Sequence, residues 1–382
     1  MQPSDSLALC RTALLPDPLR VARYERAPEL GPRILFFSGG TALRPLCRRL
    51  KRYTHNSIHL ITPFDSGGSS SRLRSAFGML SVGDLRNRLL ALADETVQGN
   101  PATYALLSHR FPPYGEPAAM RARLAAFVRG EDPLIEAVPD ALRRLIRTGL
   151  RQFADRAPEE FDLCEASVGN LVLVGTYLEN DRDLDSALFL FSRMVKSRGV
   201  VRASAVADLH LAATLENGQR IVGQHRISRP DPPALSHAAP IATVTIEPQG
   251  AQVEAPGKVI DLIASAELIC FPISSFHTSL LASLLPSGLG RAVAAAGCPK
   301  IYIPNTGRDI EQEGIPLSGA VRRLLRVLRD DAGEAAPVSE LLHSVILDSG
   351  ARHDPDEIAA VKSLGVSCAR PSLEEEDEMP ET

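Results

Sequence analysis

The chain has 382 residues, with 42 Lys and Arg against 46 Asp and Glu and a formal charge of −4. With no basic excess, 5% aromatic residues and no Trp, it lacks the charge and the stacking platforms of a dedicated nucleic-acid binder. Hydrophobic residues at 44% and charged residues at 23% fit a globular protein of two or three domains, or one large α/β unit with insertions. No apolar run approaches the ~20 residues that span a bilayer, so no membrane segment is expected. Cys10, Cys47, Cys164, Cys270, Cys298 and Cys368 form no C-x-x-C pair and sit mostly in apolar contexts. They read as reduced thiols of a cytoplasmic protein. Pro16 and Pro18 interrupt the Leu-rich N-terminal stretch, which does not have the form of a secretion signal.

In chain order, residues 1–30 are a proline-punctuated extension. Residues 33–37, Arg-Ile-Leu-Phe-Phe, read as a buried strand that ends in Ser38-Gly39-Gly40-Thr41. Leu43, Leu46, Cys47 and Leu50 then recur at helical spacing. Strand, glycine turn and helix open a nucleotide-binding α/β fold. A second strand, 59–62, runs into 63–71, predicted as a loop too rich in Gly and Ser for regular structure. A helix resumes at 85–92. Residues 100–165 read as a helical insertion, with amphipathic helices over 121–129 and 142–153. An apolar helix starts at Leu171, and another helix is predicted over 185–198. Alternating segments at 208–215 and 220–224 flank Asn217-Gly218, a strong hairpin signal, and residues 228–240 are a Pro/His/Ser loop. Further on come a strand at 266–271, a polar loop at 273–279 and a helix over 281–296 broken by Pro286 and Gly288. A strand at 299–304, a helix at 317–329 and a late strand at 344–347 complete the pattern. The expected organisation is an α/β domain over 31–330 with the insertion and a hairpin subdomain at 205–228. C-terminal α/β elements follow over 331–371, and then an acidic, disordered tail over 372–382.

Three turns carry candidate chemistry. In Ser38-Gly39-Gly40-Thr41 the glycines let backbone N–H groups approach a phosphate at a helix N-terminus; the same residues also make an ordinary strand–helix turn. The second is Gly67-Gly68-Ser69-Ser70-Ser71-Arg72-Leu73-Arg74, followed by Gly83-Asp84-Leu85-Arg86-Asn87. It offers backbone donors, small hydroxyls and two guanidinium forks, Arg72 and Arg74, suited to phosphate oxygens. Asp65 and Asp84 beside them suit Mg²⁺ ligation or proton abstraction; a linker and a capped helix is the other reading. The third is Ser274-Ser275-Phe276-His277-Thr278-Ser279, after a late strand, where open α/β sheets place ligands. His277 is either a general acid or a packing residue, and Asn170 either caps its helix or reaches a ligand.

Together, Phe37-Ser-Gly-Gly-Thr-Ala-Leu43, Phe64-Asp-Ser-Gly-Gly-Ser-Ser-Ser-Arg-Leu-Arg74 and Gly78-Met-Leu-Ser-Val-Gly-Asp-Leu-Arg-Asn87 resemble the CofD/YvcK family. Gly169-Asn170-Leu171, the Asn217-Gly218 hairpin, Phe276-His-Thr-Ser-Leu280 and Pro299-Lys-Ile-Tyr-Ile-Pro-Asn305 continue the resemblance in order over most of 33–330. It implies a Rossmann-like three-layer α/β core with a helical insertion and a small β-hairpin subdomain, as a homodimer. It also implies a 2-phospho-L-lactate transferase-like activity. A phosphate-linked group would move from a nucleoside diphosphate donor to a hydroxyl acceptor with Mg²⁺, and a nucleoside monophosphate would leave. By motif, Asp65 and Asp84 hold metal or orient the hydroxyl. Gly39, Gly40 and Thr41 form the first phosphate loop, and Ser275, Thr278 and Ser279 the late one. Gly67, Gly68, Ser69, Arg72, Arg74, Asn87 and Asn170 complete the ligand set. Ser66 stands where the family has a second acid, and Pro272-Ile-Ser-Ser275 lacks the glycines of the family's late loop. The missing acid, with a Gly-Gly-Ser-Ser…Arg-Leu-Arg pattern nearer the YvcK branch, points to the alternative: a YvcK-like regulator that binds a nucleotide or nucleotide sugar and signals to a protein partner. The CofD-like proteins of the GAK system, found near an ATP-grasp enzyme, are also similar.

Overall fold

Leu35, Phe36 and Phe37 are all buried, so the first strand, β1 (Ile34–Ser38), needs cover on both faces, the requirement of a central strand in a parallel sheet. The computed structural model describes residues 17–96, 98–229 and 237–371. Helix α1 (Pro18–Arg26) precedes β1; then come α2 (Arg44–Leu50), β2 (Ile58–Ile61), α3 (Gly68–Phe77) and α4 (Gly83–Ala91). A helical stretch follows: α5 (Pro101–Ser108), α6 (Pro117–Arg129), α7 (Pro133–Glu136) and α8 (Asp140–Arg156). Next are α9 (Val168–Glu179), α10 (Leu184–Met194) and β3 (Val200–Ala203). A small unit contains β4 (His210–Leu215), β5 (Arg220–Val222), α11 (Gln224–Ser228) and β6 (Ile241–Glu247). The chain then makes α12 (Gly257–Ala264), β7 (Leu268–Phe271), a π-helical turn (Phe276–Leu281), α13 (Leu289–Ala295) and β8 (Lys300–Tyr302). It closes with α14 (Leu317–Ala332), α15 (Val338–Leu341), β9 (Ser344–Ile346), α16 (Pro355–Ser363) and β10 (Ser367–Ala369).

Seven strands form one sheet in the order β10-β9-β8-β7-β1-β2-β3, and every neighbouring pair is parallel. Phe36 and Ile61 point to one core, shared with Leu85 and Leu89 of α4 and Val172 of α9. Leu35, Phe37, Leu60 and Phe271 point to the other, shared with Val293, Leu324 and Leu328 of the C-terminal helices and with Leu211 and Val244 of the small sheet. The result is the expected three-layer α/β fold. On the first side α9 is buried from Val168 to Tyr177, as an apolar helix wrapped by others must be. It packs against α8, which turns Ile146, Leu150 and Phe153 inward.

Several local expectations change. Residues 68–71 are not loop: α3 begins at Gly68 and places Ser70, Leu73, Arg74 and Phe77 on its buried side. That spacing of three and four is helical, and the small serines fit the first turn. The predicted loop at 273–279 gives way to the π-helical turn from Phe276. The helix expected over 281–296 is a short 3-10 turn (Ala282–Leu284) and then α13, separated by Pro286 and by Gly288 at φ +98°. Helix α10 ends at Met194, before Lys196 takes a positive φ. The Asn217-Gly218 hairpin is present, but β6 adds a third antiparallel strand beside β4. Strands β3 and β10 carry only four and three residues, too few for periodicity to register. The tail at 372–382 and the first half of the N-terminal extension lie outside the described residues.

Candidate functional site

The strand order reverses between β1 and β7. From β1 the chain builds outward through β2 and β3, then returns with β7 on the opposite flank and builds through β8 to β10. The turns after β1 and β7 therefore diverge at the carboxyl end of the sheet, which leaves a crevice where open α/β sheets place ligands. A cavity of about 550 Å³ occupies it.

Gly39 lets the two turns touch: a Cβ there would lie 2.7 Å from Ser279 Oγ. The Gly40 N–H donates to Asp84 Oδ2 at 2.8 Å, so helix α4 is tied to the first turn. Asp65 Oδ1 accepts from the Gly67 N–H at 3.0 Å, which folds the loop after β2 toward the same space. Burial pushes the half-buried Asp84 carboxyl up to about 6, and the Asp65 charge adds to this; the Gly40 N–H, Arg88 and Arg86 oppose it. Buried Arg88 lies under the first turn, donating to Ser38 Oγ and the Gly39 carbonyl, each at 3.2 Å.

Gly39, Gly40, Thr41, Asp65, Gly67, Gly68, Ser69, Asp84, Asn87, Asn170, Ser275 and Ser279 all line this one cavity. Three other candidates do not. Arg72 pairs with Asp162 at 2.8 Å and donates to the Cys164 carbonyl. Arg74 is buried and bonds Asp208 at 2.7 Å and the carbonyls of Asp65 and Leu209 at 3.2 and 2.7 Å. It fixes the loop that carries Asp65. Thr278 is buried, and both its N–H (2.8 Å) and its hydroxyl (2.6 Å) donate to Glu311.

Glu311 also accepts from the His277 N–H at 2.9 Å and Ser228 Oγ at 2.7 Å, while Asp309 accepts from the Phe276 N–H at 2.9 Å. The amides that opened the late turn to an anion thus carry two of the protein's own carboxylates. Burial holds the Glu311 carboxyl above the usual range, and Asp309 adds to this. His277 is fully buried with neither ring nitrogen hydrogen-bonded, and burial pushes it down to about 3. It is a neutral packing group rather than an acid facing the crevice.

Sequence reasoning missed part of the wall: Arg86, Arg110, Gln224, His225, Ser228 and Arg229. Arg86 lies inside the Gly83–Asn87 motif, where its type was the available signal. His225 has no spacing signal. Its ring Nδ1 lies 2.9 Å from Ser66 Oγ, and its N–H donates to the same oxygen at 3.3 Å. The Ser66 hydroxyl thus ties the loop after β2 to the start of α11.

The family described as 2-phospho-L-lactate transferase CofD matches residues 34–369. A Nostoc gluconeogenesis factor is 30% identical over 77% of this chain and 52% of its own length. The Bacillus subtilis gluconeogenesis factor is 28% identical over 72% of this chain and 68% of its own. The chain thus spans about half the length of the Nostoc relative, as it does of a Deinococcus radiodurans one at 53%. A crystal structure from Bacillus halodurans, a member of the UPF0052 family, superposes with a TM-score of 0.64 over 89% of this chain and 92% of its own at 22% identity, a likeness of fold. With the match extending from the first strand of the sheet to the last, the chain belongs to the CofD family.

Proposed function

We propose that the crevice binds a nucleoside diphosphate derivative and transfers its phosphate-linked group to a hydroxyl acceptor. The observation that carries this is the Asp65–Asp84 pair at the switch point, two acids close enough for the charge of one to raise the pKa of the other. Among the described residues no group of three or more His, Cys, Asp or Glu is placed to hold a metal. The pair fits Mg²⁺, which takes one or two carboxylates and completes its shell with phosphate oxygens and water. Asp65 and Asp84 would hold it. When bound, the ion supplies neutralisation of the phosphate charge.

The chain's own groups supply the rest. The Gly39–Thr41 turn lets backbone approach the diphosphate. Arg88, below that turn, adds fixed positive charge without leaving the core. Asp84 orients the acceptor hydroxyl and takes its proton on the carboxylate oxygen that the ion leaves free. The acceptor oxygen then bonds to phosphorus, and the bond to the nucleoside monophosphate breaks. A second cavity of about 530 Å³, sharing Ala42, Ser274 and Ser275, leaves room for the nucleoside.

A second reading, a regulator that binds without turnover, is favoured by the Asp309 and Glu311 carboxylates on the late turn, which occupy amides that would otherwise be open to a phosphate. A thermal-shift screen of nucleoside diphosphates, UDP-sugars and NAD, with and without Mg²⁺, followed by product analysis, tests both. At 100 times Kd a ligand adds about 2.7 kcal/mol. Asp65→Asn should abolish turnover and the Mg²⁺ dependence of the shift while keeping ligand binding. Full turnover in that variant refutes the role of Asp65; binding without product in the wild type supports the regulator.

A further inference from the structure

Arg86 is 4% exposed, yet it lines the crevice. Its Nε donates to Asn170 Oδ1 at 3.0 Å, and its Nη2 has no hydrogen-bond partner among the described residues. A buried donor left unmet calls for an explanation, and a buried cation more so. The two other buried arginines near the site differ. Arg74 spends its guanidinium on Asp208 and backbone carbonyls, and Arg88 bonds through both terminal nitrogens; neither lines the crevice.

The surroundings of Arg86 add positive charge. Arg110 and Arg44 both act on it with like charge, and Asp84 is the carboxylate that opposes them. Arg110 itself lines the crevice, is exposed, and donates to the Glu165 carbonyl at 2.9 Å; Arg44 reaches the Tyr104 hydroxyl at 3.4 Å. Burial and then Arg110 pull Arg86 down to about 9, which leaves it charged at neutral pH. The chain also makes room for this side chain. A Cβ on Gly169 would lie 2.4 Å from the Leu107 carbonyl oxygen and 3.2 Å from Arg86 Cδ.

We propose that Arg86 and Arg110, with Asn170 holding the Arg86 fork, form a second anion subsite on the helical wall, which takes a carboxylate or phosphate oxyanion of the bound ligand. This rests on the reading of the crevice as a ligand site and narrows it. The ligand carries an acid group beyond its diphosphate, and a neutral group in that place leaves Nη2 unpaired. A planar guanidinium fork suits both oxyanions.

Crystals of the full chain soaked in sodium selenate, with selenium located by anomalous scattering, test the placement. The expected result is a peak within hydrogen-bonding distance of Arg86 Nη2. Peaks at the Gly39–Thr41 turn alone overturn this subsite but not the diphosphate reading. A peak at Arg86 and none at that turn supports the subsite and counts against the turn. Peaks on the outer surface only, an adventitious ion only, overturn the subsite. In solution, melting temperature is titrated with sodium sulfate and with sodium malonate against sodium chloride at equal ionic strength. The stronger of the two stabilising responses tells phosphate-like from carboxylate preference. Arg110→Gln, at an exposed position that folding tolerates, should weaken the preferred anion at least fivefold, and Arg72→Gln should leave it unchanged. An Arg110→Gln protein that titrates like the wild type overturns the proposal.

Discussion

Replacing Asp84 by Asn should make the protein more stable at neutral pH while damaging its site. The Asp84 carboxyl rises from 3.8 to about 6, because burial and the neighbouring Asp65 both penalise its charge. At 1.36 kcal/mol per unit this corresponds to about 3 kcal/mol against the ionised form. The folded protein binds the proton more tightly than the unfolded chain. The penalty is therefore absent below the unfolded value, grows between 3.8 and about 6, and is complete above that. Asn removes the charge and keeps a carbonyl oxygen for the Gly40 N–H, so the hydrogen bond survives. Urea unfolding near pH 8 should show Asp84→Asn more stable by up to about 3 kcal/mol, shrinking to about 1 kcal/mol near pH 4.5. The same variant should lose Mg²⁺-dependent ligand stabilisation, a trade between stability and function. An Asp84→Asn protein less stable than wild type near pH 8, or a gap that does not change with pH, refutes the reasoning.

Arg74→Ala should cost about 2–3 kcal/mol in the same assay, since the Asp65 and Leu209 carbonyls lose their donor, while the exposed Asp208 carboxylate stays solvated. Arg72→Ala, which breaks a half-exposed pair with Asp162, should cost about 1 kcal/mol or less. Equal costs for the two would contradict their assigned surroundings. Glu311→Ala should destabilise by about 3 kcal/mol, because four donors lose their acceptor. Glu311→Gln should cost only ~1 kcal/mol, because the Ser228 and Thr278 hydroxyls can turn to accept from the new amide. Gly169→Ala should cost about 1–3 kcal/mol through overpacking against Leu107 and Arg86, read from the urea midpoint, and should weaken sulfate stabilisation as well.

The layered core was legible because its central strands carry short apolar runs, Ile34–Phe37, Leu60–Ile61 and Leu268–Phe271. Each is too short for a helix and is followed by a turn rich in Gly, Ser or Pro. The turn after β1 and the acids at Asp65 and Asp84 were legible as types beside glycines. What composition hid was phase. Once 68–77 is a helix, Arg72 and Arg74 lie two positions apart and face different directions, so one phosphate could not meet both. Gly and Ser content concealed a spacing of three and four that the buried residues of α3 follow. The late turn failed for a different reason. Its hydroxyls and amides are donors, but their acceptors, Asp309 and Glu311, arrive from beyond the next strand, and no local pattern announces such a partner. His225 and Arg110 likewise enter by tertiary folding alone.

The pairing of β1 with β7, Ile34 against Leu268, bears on how the molecule is made. During synthesis β1, β2 and β3 emerge first and can associate, yet one edge of β1 stays bare until residues 204–267 have followed β3 and β7 has emerged. Such distant pairing slows folding, and a bare edge invites association with other nascent chains. Asp65, Asp84 and Arg86 are all present by then, but the wall bearing Ser275 and Ser279 is not. The crevice is therefore completed only when the two halves of the sheet meet, and a fragment ending before β7 should aggregate through the open edge of β1.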